Sequence, residues 1–249
     1  MKLSRLLTPL GLACPGDDLE ITGLTCDSRQ VSPGMLFAAL SGARADGADY
    51  ISQALERGAA AVLTSGPAIP GVPTLSVPDP RVTLALLAGE FYGHPDRELS
   101  LLAVTGTKGK TTTAHMLRDI LSAAGYKTGM IGTLGAFVGE EKLAETGNTT
   151  PEPVALCALL RRMADGGCTH VVMEVSSQAM KLPGWRASSL RQERSSICPP
   201  TISVPENTPT SPSTGPARPP YSASAPWQQA TPTTPPGPSS VGRFLPEFR

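Results

Sequence analysis

Short apolar runs alternate along the chain with stretches in which apolar residues return every three or four positions, the signature of strands interleaved with helices. Residues 36–40 (Leu-Phe-Ala-Ala-Leu) and 59–63 (Ala-Ala-Ala-Val-Leu) predict strands, and 51–57 between them predicts a helix stopped by Gly58. Residues 83–91 predict a second helix with Leu84, Leu87 and Ala88 on one face, closed by Tyr92-Gly-His-Pro95. A new pattern then opens with 99–104 (Leu-Ser-Leu-Leu-Ala-Val), an apolar run of the kind that a parallel sheet buries on both faces. Beyond a glycine-rich turn, Ala114, Leu117, Leu121 and Ala124 recur at helical spacing as far as Gly125. Strands are predicted at 127–131 and 170–175, with a helix at 153–163 between them. Strands alternating with helices imply right-handed crossovers in an α/β fold and a ligand at the carboxyl ends of the strands.

The punctuation at Pro95 divides the pattern into a small unit, 1–96, and a second one, 97–182. Beyond residue 182 the periodicity is lost. That segment has no lysine or aspartate and holds fifteen of the 26 prolines, a composition unable to bury a core, so 183–249 is predicted to be disordered.

Formal net charge is zero and no basic run occurs, so nucleic acid is not expected as a partner. The five cysteines are odd in number and form no Cys-x-x-Cys pair, which argues against a disulfide framework or a zinc site and fits a reducing cytoplasm. No stretch reaches the apolar length of a membrane span. A cationic, apolar start (Lys2, Arg5, Leu6, Leu7) faintly imitates a secretion signal, but Pro9 interrupts it.

Gly106-Thr-Lys-Gly-Lys-Thr111 departs from a strict phosphate-loop pattern, because Val104 stands where the first glycine belongs. Its physics is intact. Gly106 and Gly109 let backbone amides curl around an anion at the start of a helix, Lys110 can reach terminal phosphates, and Thr111 is placed to ligate Mg²⁺. Glu174 closes a strand at the sheet edge where metal ligands are found, although a strand-terminal glutamate is also a common solvated cap. Asn148-Thr-Thr-Pro-Glu152 offers either an anion or sugar contact or a plain helix cap, and Asp27-Ser-Arg29 either a contact or a polar turn. His115, Cys157 and Cys168 are expected to be structural.

Taken in order, Asp27-Ser-Arg29, Gly34-Met-Leu-Phe37, Asp46-Gly47, Gly106-Thr-Lys-Gly-Lys-Thr-Thr112, Asn148-Thr-Thr-Pro151 and Glu174-Val-Ser-Ser177 resemble the Mur ligases, and within them the muramyl-tripeptide synthetase type, across residues 1–182. The resemblance implies a UDP-muramoyl-binding domain followed by the first half of a central ATPase domain. It implies an ATP-driven ligase that adds diaminopimelate or lysine to UDP-N-acetylmuramoyl-L-alanyl-D-glutamate through an acyl phosphate. Gly106, Thr107, Lys108, Gly109, Lys110, Thr111 and Thr112 would hold ATP, Thr111 and Glu174 would hold Mg²⁺, and Lys110 and Glu174 would act in catalysis. Ser28 would meet the uridine end of the substrate, while Asn148, Thr149, Thr150 and Ser176 would contact the muramoyl dipeptide. A monomer is implied. Gln178 replaces the histidine frequent in the family at that position.

The family's carbamylated lysine, its Asn-x-Ser-x-Asp-His motif and its amino-acid-selecting domain have no counterpart in this sequence. The proline-rich tail is either a linker or a gene read out of frame, and back-translation separates the two. When each codon takes the last base of one residue and the first two of the next, 196–211 permits Asn-Leu-Ser-Pro-Asp-His, and 212–222 permits a lysine segment like the family's. A net loss of one nucleotide near the codons for 181–183 is therefore expected, and with it a catalytically inactive chain. Two other readings remain open: a module that binds a UDP-sugar without turnover, and an unrelated phosphate-loop NTPase with an interaction tail.

Overall fold

Alternation with a period of two builds both sheets. In the first, β1 (Gly23–Thr25), β2 (Met35–Ala38), β3 (Ala61–Thr64) and β4 (Thr74–Ser76) lie in that order and all run parallel. Leu36, Ala38, Ala61 and Leu63 face α1 (Leu3–Leu7) and α3 (Pro80–Phe91), whereas Phe37 turns to the opposite side with Ala54 of α2 (Ile51–Glu56). Asp79 begins α3 by accepting hydrogen bonds from the Arg81 and Val82 amides, with Pro80 at the first helical position. The computed structural model describes residues 1–42, 45–176 and 179, and the backbone of Thr201–Val204.

The second sheet has the strand order β10-β5-β9-β6-β7-β8. Its members are β5 (Ser100–Gly106), β6 (Thr128–Gly132), β7 (Gly135–Val138), β8 (Glu141–Ala144), β9 (His170–Glu174) and β10 (Thr201–Val204). Val104, Met130 and Val172 pack beneath α4 (Lys110–Ala123) through Ala114. Ala103, Ile131, Val171 and Met173 pack on the other face against Leu156, Leu160 and Met163 of α5 (Pro153–Asp165). The sheet is thus sandwiched between two helices, as runs apolar on both faces require. Both sheets belong to one compact unit, Met1–Asn207. Cys157 and Val154 of α5 pack into the core of the first sheet, and Arg81 of α3 pairs with Glu152 at 3.5 Å.

The α/β expectation holds, with two corrections. The second sheet is mixed: β6, β7 and β8 form an antiparallel meander, with β7 and β8 joined by a tight turn at Gly139, whose φ is 58°. The stretch predicted to be disordered contains β10, which pairs in parallel with β5 from Thr201 opposite Ala103 to Val204 opposite Gly106. The edge of β5 that a half sheet would leave bare is therefore paired at those four positions. The rest of 183–249 lies outside the described residues, as does Gln178, so of the two segments that carry the out-of-frame motifs only Thr201–Val204 is described. Met116 and Ile120, one turn apart on α4, are 59% and 64% exposed.

Candidate functional site

The second sheet delivers its site at the carboxyl ends of β5, β6 and β9. β5 ends at Gly106 with φ 145° and the turn continues to Gly109 at φ 79°, conformations that a side chain would strain, and α4 begins at Lys110. The turn therefore presents amides and the positive end of a 14-residue helix together, an arrangement suited to an anion. Thr107, Lys108 and Gly109 are exposed on it, as is Thr112 in the first helical turn. The Lys110 ammonium folds back over the loop and donates to the Gly106 carbonyl at 2.7 Å.

Glu174, at the end of β9, has no exposed surface. Its Oε2 accepts hydrogen bonds from the Thr111 hydroxyl at 3.0 Å and from the Thr133 hydroxyl at 3.3 Å, and its Oε1 accepts from the Thr133 amide at 3.1 Å. Among the described residues no ammonium or guanidinium lies within ion-pair distance of it. A buried carboxylate bonded only to neutral donors calls for a counter-charge. The solvated-cap alternative thus fails on burial. Thr111 Oγ1 and the Glu174 carboxylate supply oxygen donors of the kind that hard divalent cations prefer. No cluster of three or more histidine, cysteine or acidic side chains that could hold a metal occurs among the described residues. Gly132 is obligatory at this point, because a Cβ there would run into the Glu174 carboxylate.

The β7–β8 meander returns the chain to this cluster. Thr146 donates to the Gly132 carbonyl at 2.6 Å, which ties the following loop to the end of β6. Thr149 then lies 3.1 Å from the Thr133 hydroxyl. The Thr150 hydroxyl is buried and engaged twice, donating to the Glu174 carbonyl at 3.1 Å and accepting from the Ser176 amide at 2.9 Å. Ser176 Oγ accepts from the Ala179 amide at 3.1 Å. Of the residues expected to meet the dipeptide, Thr149 therefore points a usable hydroxyl toward the cluster, Thr150 braces the loop, and Asn148 is exposed on the turn. Sequence reasoning missed Thr133 and Thr146. Thr146 had a signal in the threonine-rich loop, whereas a lone threonine after a strand end gave none for Thr133.

Ser28 sits apart, in the first sheet's region. Asp27 caps the short turn Ser28–Gln30 by accepting from the Arg29 amide at 3.0 Å, and the Arg29 guanidinium pairs with it at 2.8 Å and holds the Asp27 carboxyl below its ordinary range. Ser28 donates to Gln53 Oε1 at 2.6 Å at the floor of a 430 Å³ pocket that Cys26, Phe37, Gly47 and Tyr50 also line. Gly47 is needed there, because a Cβ would approach the Leu40 carbonyl oxygen to 2.7 Å.

Residues 20–92 match the Mur ligase family catalytic domain, and residues 104–193 match the Mur ligase middle domain. Together the two stretches take in more than half of the sequence. This chain belongs to the Mur ligase family. The chain resembles the UDP-N-acetylmuramoyl-L-alanyl-D-glutamate–2,6-diaminopimelate ligase of Streptomyces coelicolor, 47% identical over 185 residues that cover 72% of this chain and 36% of that protein. It also resembles the UDP-N-acetylmuramyl-tripeptide synthetase of Roseiflexus sp., 48% identical over 165 residues, or 65% of this chain and 32% of the other. A solved structure of a UDP-N-acetylmuramoyl-L-alanyl-D-glutamate–2,6-diaminopimelate ligase shares the fold at a TM-score of 0.62 and 23% identity, covering 76% of this chain and 38% of that one. The chain spans about a third of the length of the curated relatives it matches. An unrelated phosphate-loop NTPase is removed as a reading. No helix among the described residues is long and apolar enough to cross a membrane.

Proposed function

We propose that this chain carries the nucleotide-binding and substrate-binding portion of an ATP-dependent ligase of peptidoglycan precursor synthesis. The reaction is amide formation between the third peptide residue and UDP-N-acetylmuramoyl-L-alanyl-D-glutamate, by way of an acyl phosphate. Relatives named as 2,6-diaminopimelate ligases favour diaminopimelate over lysine as that residue. One observation carries the reading: Thr111 of the loop and the buried Glu174 share a hydrogen bond at the mouth of an anion-binding turn, with Thr133 and Thr149 beside them.

The roles follow from placement. Gly106, Thr107, Lys108 and Gly109 wrap the phosphates with backbone amides, and Thr112 adds a donor in the first turn of α4. Lys110 leaves the Gly106 carbonyl for a terminal phosphate oxygen, where its charge offsets charge that develops during phosphoryl transfer. Thr111 and Glu174 hold Mg²⁺, which when bound neutralises phosphate charge and draws electrons from the transferred group. Thr149 and Asn148 face the muramoyl dipeptide, with Thr150 and Ser176 fixing their loop. The pocket over Ser28 takes the uridine end. Residues 1–96 form the UDP-muramoyl-binding domain and 97–182 the first half of the ATPase domain. The protein acts as a cytoplasmic monomer.

The 249 residues of this sequence are expected to bind both substrates without joining them. Isothermal titration with UDP-N-acetylmuramoyl-L-alanyl-D-glutamate and with Mg·ATP, beside a ligation assay with labelled diaminopimelate, tests this. Binding without product is expected. Product formation overturns the inactivity, and absence of both binding events overturns the functional reading.

A further inference from the structure

Thr133 stands between the two halves of the site. A hydroxyl has one proton to give. The Glu174 carboxylate is an acceptor only, so at 3.3 Å the Thr133 proton points to Glu174 Oε2. The 3.1 Å contact between the Thr133 and Thr149 hydroxyls must then run from Thr149 to Thr133. With its own proton spent, Thr149 presents only lone pairs outward and accepts from a donor such as a peptide N–H or a hydroxyl. At the other end, the Thr111 hydroxyl likewise donates to Glu174 Oε2 and turns its lone pairs toward the cation position.

We propose that Thr133 is a positioning residue that holds the Glu174 carboxylate for the metal and fixes Thr149 as an acceptor for a substrate N–H or O–H donor. It grips both carboxylate oxygens, through its amide at 3.1 Å and its hydroxyl at 3.3 Å. Glu174 therefore cannot rotate toward or away from Thr111 without breaking one of the two. The hydrogen-bond chain from Thr149 through Thr133 to the accepting Glu174 carboxylate couples the substrate loop to the cation position, so that filling one side orients the other. This rests on the nucleotide and metal reading given above.

The test uses the full 249-residue chain and two substitutions. Thr133→Val keeps the backbone amide and the branched shape but removes the hydroxyl, and Thr133→Ser restores it. Mn²⁺·ATP binding, followed by the electron paramagnetic resonance signal of free Mn²⁺, is expected to weaken about tenfold in T133V and to return in T133S, the scale seen when a metal ligand loses its supporting hydrogen bond. ATP binding in EDTA is expected to be equal in all three proteins, which a general loss of folding would not leave intact. Equal Mn²⁺·ATP affinity in T133V and the unaltered chain sinks the coupling while the nucleotide reading stands. Equal weakening with and without metal, or failure of T133S to recover, reduces Thr133 to a structural part and also overturns the proposal. If the unaltered chain binds neither ATP nor Mn²⁺·ATP, the nucleotide reading itself falls.

Discussion

The Thr111 hydroxyl and the Glu174 carboxylate meet at 3.0 Å although 63 positions separate them in sequence. The meeting is produced by topology, since β5 and β9 are adjacent parallel strands and Glu174 lies opposite Val104 in their register. Both residues are thereby delivered to the same carboxyl edge, one in the first turn of α4 beyond β5 and the other at the end of β9.

Removing the charge at Glu174 tests the metal site directly. Glu174→Gln keeps the volume and one acceptor oxygen but gives up the counter-charge for a cation. Mg·ATP affinity is expected to fall at least tenfold, with ATP affinity in EDTA unchanged, as fluorescence titration of a labelled nucleotide would report. An unchanged magnesium dependence would exclude Glu174 as a ligand.

Gly132→Ala is the steric counterpart. A methyl group there runs into the Glu174 carboxylate, which is held by Thr111 and Thr133 and cannot yield without losing them. A loss of about 2 kcal/mol in urea unfolding is expected, in the range of overpacked cores, together with weaker Mg·ATP binding. Gly147→Ala is the control, because a Cβ there meets nothing within 4 Å.

Acid should loosen the join between α5 and the turn before β5. Arg161 donates to both carboxylate oxygens of Glu98, at 2.6 and 3.0 Å, and holds that carboxyl below its ordinary 4.5. A depressed carboxyl contributes stability above its unfolded value and loses it as pH falls through the folded one. Melting midpoints measured from pH 6 to pH 3 should fall less steeply in Glu98→Gln than in the unaltered chain. The difference is small, because Glu98 is half exposed to solvent.

Alkali acts on a different group. Burial pushes the Cys157 thiol up to about 12 from 9.0, with Asp96 adding to the shift. A raised thiol contributes no penalty below pH 9 and destabilises progressively as pH climbs from about 9 toward 12, because the unfolded chain releases its proton first. Cys157→Ala should flatten that alkaline decline while lowering stability at neutral pH. In the native chain, Cys157 should also resist iodoacetamide at pH 8 while Cys14, which is partly exposed, reacts.

The legible elements were those whose burial imposes a period. Helices α3, α4 and α5 and strands β2, β3, β5, β6 and β9 follow from apolar spacing, because each packs one or two faces into a core. Strands β1 and β4 are three residues long, too short to show a period. The β7–β8 hairpin was written in Gly139, yet β7 is a run of only four residues and β8 opens on Glu141 and Lys142 where a central strand is apolar. At the site, Lys110, Thr111 and Glu174 were legible because phosphate and cation chemistry demand those residue types. Thr133 was not legible, since a threonine after a strand has no signature until a carboxylate from another strand is seen in its grip.

Strand β10 attaches to β5 through amides and carbonyls, from Thr201 to Val204. A backbone ladder reads spacing and direction and is largely indifferent to what the side chains once encoded. If the bases beneath those four codons belonged to another reading frame, the sheet has filled its edge with a segment never selected for the place. The template for a strand then resides in its neighbour as much as in its own letters, and a broken gene can still yield a product whose open edge is partly sealed.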